Sequence, residues 1–255
     1  MEQKIVLSSE SINKGTESMK DGSPSDFTIR FDRPLVLDKN KSYVVGLDSI
    51  NTMTYSWHNI SDEYDNRRIR YNNGKEWKDI FFSNGSYSYT DINNYIKEEL
   101  MTNDDFDGGS SIAPISLEFD LSSFKILISI HDGFLLDLRL SNFHTLLGFE
   151  KKVLRKPEWG TMTPNITNSV DTIYIHCDLI NNSLVDGHFS DVLYTLSTAN
   201  LTRAYPFQDR PPRVGYSEVN KNIIDSIKIY ITDIFGRINN FNGVETSFTL
   251  ILKEN

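Results

Sequence analysis

The sequence has little of what marks a disulfide-stabilised, membrane-spanning or secreted chain. Cys177 is the only cysteine, which excludes an intramolecular disulfide and a cysteine-based zinc site. No stretch of about 18 consecutive apolar residues occurs, so no membrane-spanning helix is predicted. The segment Met1–Leu7 lacks the long apolar core of a secretory signal. We therefore expect a protein that is made and kept inside the cell.

An excess of positive charge is also missing. The formal net charge is −9, and a surface of that sign repels phosphate backbones. The densest basic group, at 67–70, directly follows an acidic group at 62–65, which indicates a mixed, solvated segment. The sequence therefore predicts no direct binding of nucleic acid.

Residue types that catalyse reactions or hold metals are present, but not at the required spacings. None of the five histidines belongs to an HExxH or HxH pattern. No GxSxG elbow and no phosphate-binding glycine loop occurs. A calcium loop at Asp105, Asp107 and Gly108 stays open as an alternative, but it lacks the other oxygen ligands of an EF-hand, which favours a solvated acidic loop. We expect no catalytic residue, no metal site and no cofactor.

Most of the chain has the residue pattern of β-strands. Phe27–Phe31 alternates apolar and polar residues, and Ser42–Met53 is rich in β-forming residues. Asn72–Gly74 and His131–Gly133 are predicted to form tight hairpin turns, because Asn, Asp and Gly tolerate positive φ. Further strands are predicted at Arg68–Tyr71, Trp77–Phe82, Ile115–Phe119, Phe124–Ile130, Phe134–Leu138, Thr172–Ile180, Val192–Ser197, Ile223–Asp233 and Thr246–Lys253.

Two short helices are predicted between these strands. Apolar residues recur at helical spacing in Asp91–Met101, with Thr90 as the expected N-cap. Ser141 is the expected cap of Asn142–Leu147, and Gly148 is suited to end that helix in the left-handed conformation.

These elements predict an all-β protein. Residues 1–25 are expected to form a short strand and a flexible arm, since Glu10–Ser25 is polar and turn-rich. Roughly ten strands without βαβ alternation then place 26–255 in one domain, an antiparallel β-sandwich of single jelly-roll type with the two helices in connections. Ala199–Gly215 has no predicted element, and a loop of that length is usually functional or disordered.

Several segments, taken in order, resemble a known family. Residues 141–149 end in Leu-Leu-Gly-Phe and are followed by the strand 173–180, a turn at 184–187 and a strand at 190–194. The last strands, 224–233 and 245–252, look like that family's closing hairpin. In these features the chain resembles the minor capsid (penton) proteins of Maverick/Polinton-type elements and related adintovirus-like viruses. One departure is that Asp186-Gly187 reverses the family's Gly-Asp order.

The resemblance implies a structural protein of a virion. Such a protein forms a homopentamer at the vertices of an icosahedral shell, beside a separate double-jelly-roll major capsid protein, and is assembled in the host nucleus or cytoplasm. Because the family has no active site, none is carried over, and an enzyme is not expected.

A ring of identical subunits needs one patch on each subunit that matches a different patch on the next. The loop Arg203–Arg213 is the first expected source of such a patch because of its Arg and aromatic content, and the arm Glu10–Ser25 is expected to tether neighbouring capsomers. The full expected interface set is Arg203, Tyr205, Phe207, Arg210, Arg213, Tyr216, Asp178 and Asp191.

Two other functions stay open. The same sandwich could be a carbohydrate- or receptor-binding module, with Tyr87, Tyr89 and Trp57 as a sugar-stacking face, although such aromatics more often pack in a core or at an edge. An enzyme on a cupin-like barrel is disfavoured because a metal-binding histidine pair is missing from the sequence.

Overall fold

The computed structural model describes residues 2–9, 23–53, 58–107, 112–167, 172–198, 206–239, 241 and 243–255. These ranges contain eighteen β-strands and two α-helices, and all their strand pairings are antiparallel. No helix within them is both long and apolar enough to cross a membrane. The contacts divide the chain into unit 1, residues 1–57 and 169–255, and unit 2, residues 58–168.

The strands are β1 (Glu2–Ser8), β2 (Asp26–Val36), β3 (Tyr43–Met53), β4 (Arg68–Asn72), β5 (Trp77–Phe81), β6 (Ile115–Asp120), β7 (Lys125–Ile130), β8 (Leu135–Asp137), β9 (Val153–Leu154), β10 (Glu158–Trp159), β11 (Thr172–Cys177), β12 (Ser183–Val185), β13 (His188–Ser190), β14 (Val192–Ser197), β15 (Pro206–Asp209), β16 (Ser217–Glu218), β17 (Ile223–Asp233) and β18 (Ser247–Glu254). The helices are α1 (Tyr89–Thr102) and α2 (Phe143–Leu147).

Unit 1 is a jelly roll of two sheets. The first sheet has the order β1-β18-β3-β15, with the short β16 also paired to β3, and the second has the order β14-β11-β17-β2. Followed along the chain, the eight strands alternate between the sheets except at β11 and β14, which are neighbours in the second. This is the connectivity of an eight-stranded jelly roll. The predicted all-β class and jelly-roll type are confirmed.

The core of unit 1 lies between these two sheets. Ile227, Ile229 and Ile231 alternate along β17 and are buried, as the period of two in a strand requires. Phe27 of the second sheet and Phe248 of the first have ring centroids 6.0 Å apart, so the two inner faces interdigitate.

Unit 2 interrupts the jelly roll between β3 and β11. It contains the sheets β5-β4-β8-β9 and β10-β7-β6 together with α1 and α2. Its core includes the ring of Phe82, which stacks on Phe143 with centroids 4.8 Å apart. The pattern of the sequence does not reveal this division, and the arm at 1–25 with a single domain over 26–255 stays a prediction.

Several local predictions need correction. Helix α1 is capped by Ser88, whose hydroxyl accepts a hydrogen bond from the Asp91 backbone N–H while the Asp91 carboxylate accepts one from Ser88 N–H, so Thr90 lies inside the helix. The turn at His131–Gly133 does not join a hairpin, because β7 and β8 belong to different sheets. The turn at Asn72–Gly74 does join one, between β4 and β5.

The segment predicted to have no element, Ala199–Gly215, contains β15, which pairs with β3. Residues 199–205 lie outside the described ranges, and so does most of the predicted arm.

Candidate functional site

Three connections of unit 1 meet at one end of the jelly roll, here named the loop end: residues 37–42, 178–191 and 210–222. The backbone N–H of Leu37 donates to the carbonyl of Asn222 at 2.8 Å, and that of Asn220 donates to Leu179 at 2.9 Å. These bonds between segments distant in sequence tie the three connections together, so the loop end is an ordered surface.

A hairpin projects at the loop end between β11 and β14. Strands β12 and β13 are joined by Asp186 and Gly187, whose φ values of 50° and 82° are those of a type I′ turn. Leu184 lies directly opposite Phe189, and the two side chains are 67% and 78% exposed. Ser183 Oγ donates to the carbonyl of Val192 at 2.6 Å, which fixes the hairpin to β14. We name residues 183–190 the apolar hairpin.

The edge of the second sheet formed by β2, on the far side from β14, carries a second exposed apolar pair. Val36 of β2 lies opposite Ile223 of β17, and they are 71% and 56% exposed. The pairing shifts from Ile224 opposite Leu35 to Ser226 opposite Arg30, so residues 31–34 of β2 bulge out at this edge. We name Arg30–Val36 together with Ile223 the β2 edge.

Neither apolar pair was among the residues expected at the interface. For the hairpin a signal existed, since the dipeptide Asp186-Gly187 between Leu184 and Phe189 is the typical sequence of a two-residue hairpin turn. For the β2 edge, exposure depends on which strand lies next to β2, and no local pattern records that.

Asp191 lies in a polar network on the second sheet. Its carboxylate accepts a hydrogen bond from the Tyr230 hydroxyl at 2.8 Å, and its Oδ1 lies 2.8 Å from His176 Nδ1. His176 Nε2 lies 2.9 Å from the Thr232 hydroxyl, and the ring of His176 stacks on Tyr230 at 4.2 Å. Burial, followed by the hydrogen bond to Asp191, raises the pKa of Tyr230.

Thr232, His176 and Asp191 thus stand in the order of a nucleophile, a base and an acid. The Thr232 side chain is buried, however, and every group in the network has a partner inside the jelly roll. The arrangement joins β11, β14 and β17, and its hydrogen bonds stabilise the sheet.

Asp178 also has internal partners. It pairs with Lys221 Nζ at 2.6 Å and accepts a hydrogen bond from the Lys228 backbone N–H at 2.8 Å. The carboxylate therefore joins two connections of the loop end, and an intramolecular role accounts for its contacts.

Of the remaining expected interface residues, Phe207 lies in β15, and Arg210, Arg213 and Tyr216 lie in the connection 210–222 of the loop end. Phe207 is half-buried in β15, and Tyr216 is exposed with Lys253 Nζ 3.7 Å from its ring centroid. Arg210 and Arg213 are exposed, with no ion pair to any residue in the described ranges. Arg203 and Tyr205 lie outside those ranges.

The tyrosines considered for a sugar-stacking face pack within unit 2. Tyr87 makes an edge contact with Phe82 at 5.7 Å, and Tyr89 stacks on Phe119 at 4.7 Å. Burial raises the pKa of Tyr89 to about 12. Trp57 lies outside the described residues.

In the acidic loop considered for calcium, Asp105 is bound by protein groups, and Gly108 lies outside the described residues. Asp105 accepts hydrogen bonds from the Tyr71 hydroxyl, the Asn73 amide and Lys78 Nζ, all at 2.7–2.9 Å. Within the described ranges no group of three or more metal-binding side chains comes together.

An aromatic and arginine patch lies on the outer face of β4 and β5. Asp79 accepts paired hydrogen bonds from Arg68 and Arg70 at 2.8–3.0 Å, and the exposed rings of Phe81 and Trp77 lie on either side of it on the same face.

Comparisons with known proteins bear on the fold. No family model and no curated protein sequence matches the chain. The fold is similar to that in a crystal structure of the mavirus penton protein, with a TM-score of 0.52, 12% sequence identity and coverage of 100% of both chains. At this identity the likeness shows a penton-like fold over the whole chain.

Proposed function

We propose that this chain is a minor capsid (penton) protein that forms homopentamers at the vertices of an icosahedral shell. The observation that carries the proposal is the jelly roll of unit 1, within a chain that matches the mavirus penton protein in fold over its full length. The role is structural and not enzymatic. It places the protein in the virion, after assembly in the host nucleus or cytoplasm.

The proposed partners are other copies of the chain and a double-jelly-roll major capsid protein. The sequence features that resemble those of Maverick/Polinton-type and adintovirus-like pentons favour a shell of that kind. Residues 10–25 are proposed as the tether to neighbouring capsomers, and the loop Arg203–Arg213 as part of the contact between copies.

The test is the mass of the purified protein in solution, measured by light scattering over a range of concentrations, followed by class averages of negatively stained particles. Rings of five copies support the proposal. A chain that stays monomeric at the highest concentration contradicts it.

A second candidate function is ligand recognition by unit 2. It is favoured by the aromatic and arginine patch, since exposed aromatic rings flanking polar groups are suited to stack on sugars. Binding of the monomer on a glycan array, lost in Trp77→Ala and kept in the control Trp159→Ala, would support it. An array without binding would exclude it for the glycans tested.

A further inference from the structure

We infer that neighbouring copies in the ring join head to tail, with the apolar hairpin of one copy docked on the β2 edge of the next. This inference rests on the proposed ring and names the surfaces that close it. The occupant of each surface is therefore a second copy of this chain.

The first argument is the exposure of two apolar pairs. Single exposed apolar side chains are normal on soluble proteins, but here Leu184 faces Phe189 and Val36 faces Ile223 across neighbouring strands. All four are more than half exposed. A pair of this kind at a projecting hairpin is typical of an interaction site.

The second argument is the place of the two pairs in the sheet order. In β14-β11-β17-β2, the hairpin joins the first two strands and the β2 edge lies at the far side. Val36 and Ile223 adjoin the loop end, because Leu37 N–H bonds Asn222 there. The two patches therefore differ, one fixed beside β14 and one on β2 at the far edge of the sheet, and a match between two different patches is a heterologous contact, which generates a ring when the rotation closes.

The third argument is charge. Asp186 is exposed at the tip of the hairpin, and the β2 edge has a net positive charge, since Arg30 and Arg33 are exposed beside one exposed carboxylate, Asp32. In the part of the chain that the structure describes, Asp186, Arg30 and Arg33 have no ion-pair partner. Opposite charges beside the two apolar pairs match when one copy meets the next, and they fix the register of the contact.

The bulge in β2 determines how the contact is made. Residues 31–34 stand out of the pairing with β17, and Pro34 has no N–H to donate. Such an edge does not accept another strand. The hairpin therefore docks through its side chains.

The test uses two double variants whose changes lie on exposed positions. The hairpin variant carries Leu184→Ser and Phe189→Ser, and the edge variant carries Val36→Ser and Ile223→Ser. The control carries Val6→Ser and Leu121→Ser, which remove equally exposed apolar side chains elsewhere. Circular dichroism and a thermal melt verify that each variant is folded.

We expect the control to form rings at the same protein concentration as the natural chain. Each double variant should need at least a tenfold higher concentration than the natural chain to form rings. Mixed in equal amounts, the two variants should form dimers, since each retains the surface that the other has lost. Asp186→Arg should weaken the ring, and adding Arg33→Asp should restore it.

The test distinguishes a failure of this inference from a failure of the proposed function. Rings from the natural chain and equally from both double variants would overturn this inference and leave the proposed function in place. A natural chain that forms no rings would overturn both. Dimers formed by either double variant alone would show a two-fold contact and overturn the head-to-tail arrangement.

Discussion

A Cβ atom on Gly46 would lie 2.4 Å from Cγ1 of Val214, so the two residues can meet only because position 46 has no side chain. Val45 and Leu47 point into the core of unit 1, and Gly46 therefore faces outward from β3. The segment 214–216 crosses the sheet at this point. The close approach explains how part of a proline-rich region without a predicted element is held on the first sheet.

Gly46→Ala should therefore destabilise unit 1, because the added methyl group forces the 214–216 segment away from β3. We expect a loss of about 1–3 kcal/mol in the free energy of unfolding, measured by urea denaturation. Gly215→Ala is the matched control, since a Cβ there meets nothing within 4 Å. Equal stability of the two variants would contradict the close packing at Gly46.

Phe248→Ala should remove a ring from between the two sheets and leave a cavity. Because Phe248 is fully buried beside Phe27, the expected loss is about 3–5 kcal/mol. Phe235→Ala, at an exposed position, should change the stability by less than about 0.5 kcal/mol. The two variants are compared in the same denaturation experiment, and a small effect of Phe248→Ala would refute the sandwich core.

Asp191→Ala should lower the free energy of unfolding, because it removes the carboxylate that the Tyr230 hydroxyl and His176 contact. The expected cost is about 1–3 kcal/mol for these partly buried groups. Asp225→Ala is the control, since Asp225 is exposed and, among the described residues, accepts a side-chain hydrogen bond only from the neighbouring Ser226 hydroxyl. If Asp191→Ala instead kept full stability and lost assembly, Asp191 would belong to the interface that its sequence position suggested.

Asp79 should make the stability of unit 2 depend on pH in the acid range. The hydrogen bonds from Arg70 are the largest cause that lowers the pKa of Asp79 to about 2, and those from Arg68 add to them, against the opposing effect of partial burial. Because the pKa of Asp79 is lower in the folded chain than in the unfolded chain, where it is about 4, the ionised carboxylate stabilises the fold at pH values above 4. This contribution is lost as the pH falls toward 2.

Asp79→Asn should therefore cost about 1 kcal/mol at pH 7, as expected for paired side chains that are partly solvated. The difference from the natural chain should shrink toward zero near pH 2. Urea denaturation at several pH values measures it, with Asp132→Asn, at an exposed position, as the matched control. A difference independent of pH would exclude the carboxylate charge as the cause.

Local patterns predicted the longer strands because the period of two in β17 and the Asn-Gly turn at 73–74 act over a few residues, but they missed the short strands β9, β10, β12, β13, β15 and β16. They could not show that β7 and β8, adjacent in sequence, belong to different sheets, because pairing depends on distant strands. The same reason hid the division into two units. The intramolecular partners of Asp178 and Asp191, Lys221 and Tyr230, lie more than 30 residues away in sequence, so no local pattern could reveal them, and the place of both carboxylates in the interface stays a prediction.

Arg210 and Arg213 provide the sharpest test of the loop interface that the sequence predicts. Both are exposed, and neither pairs with a described residue, so removing them leaves no internal group without a partner. Arg210→Ala with Arg213→Ala should therefore keep the free energy of unfolding within about 0.5 kcal/mol.

Assembly should respond differently, because exposed arginines in a contact between copies contribute strongly to binding. The concentration at which half of the chains are in rings should rise at least tenfold for this double variant. Arg155→Ala with Lys156→Ala makes the same change in net charge at exposed positions of unit 2 and should leave assembly unchanged. Light scattering across a dilution series compares the two. An equal shift in both would assign the effect to net charge, and no shift in either would remove the loop from the interface.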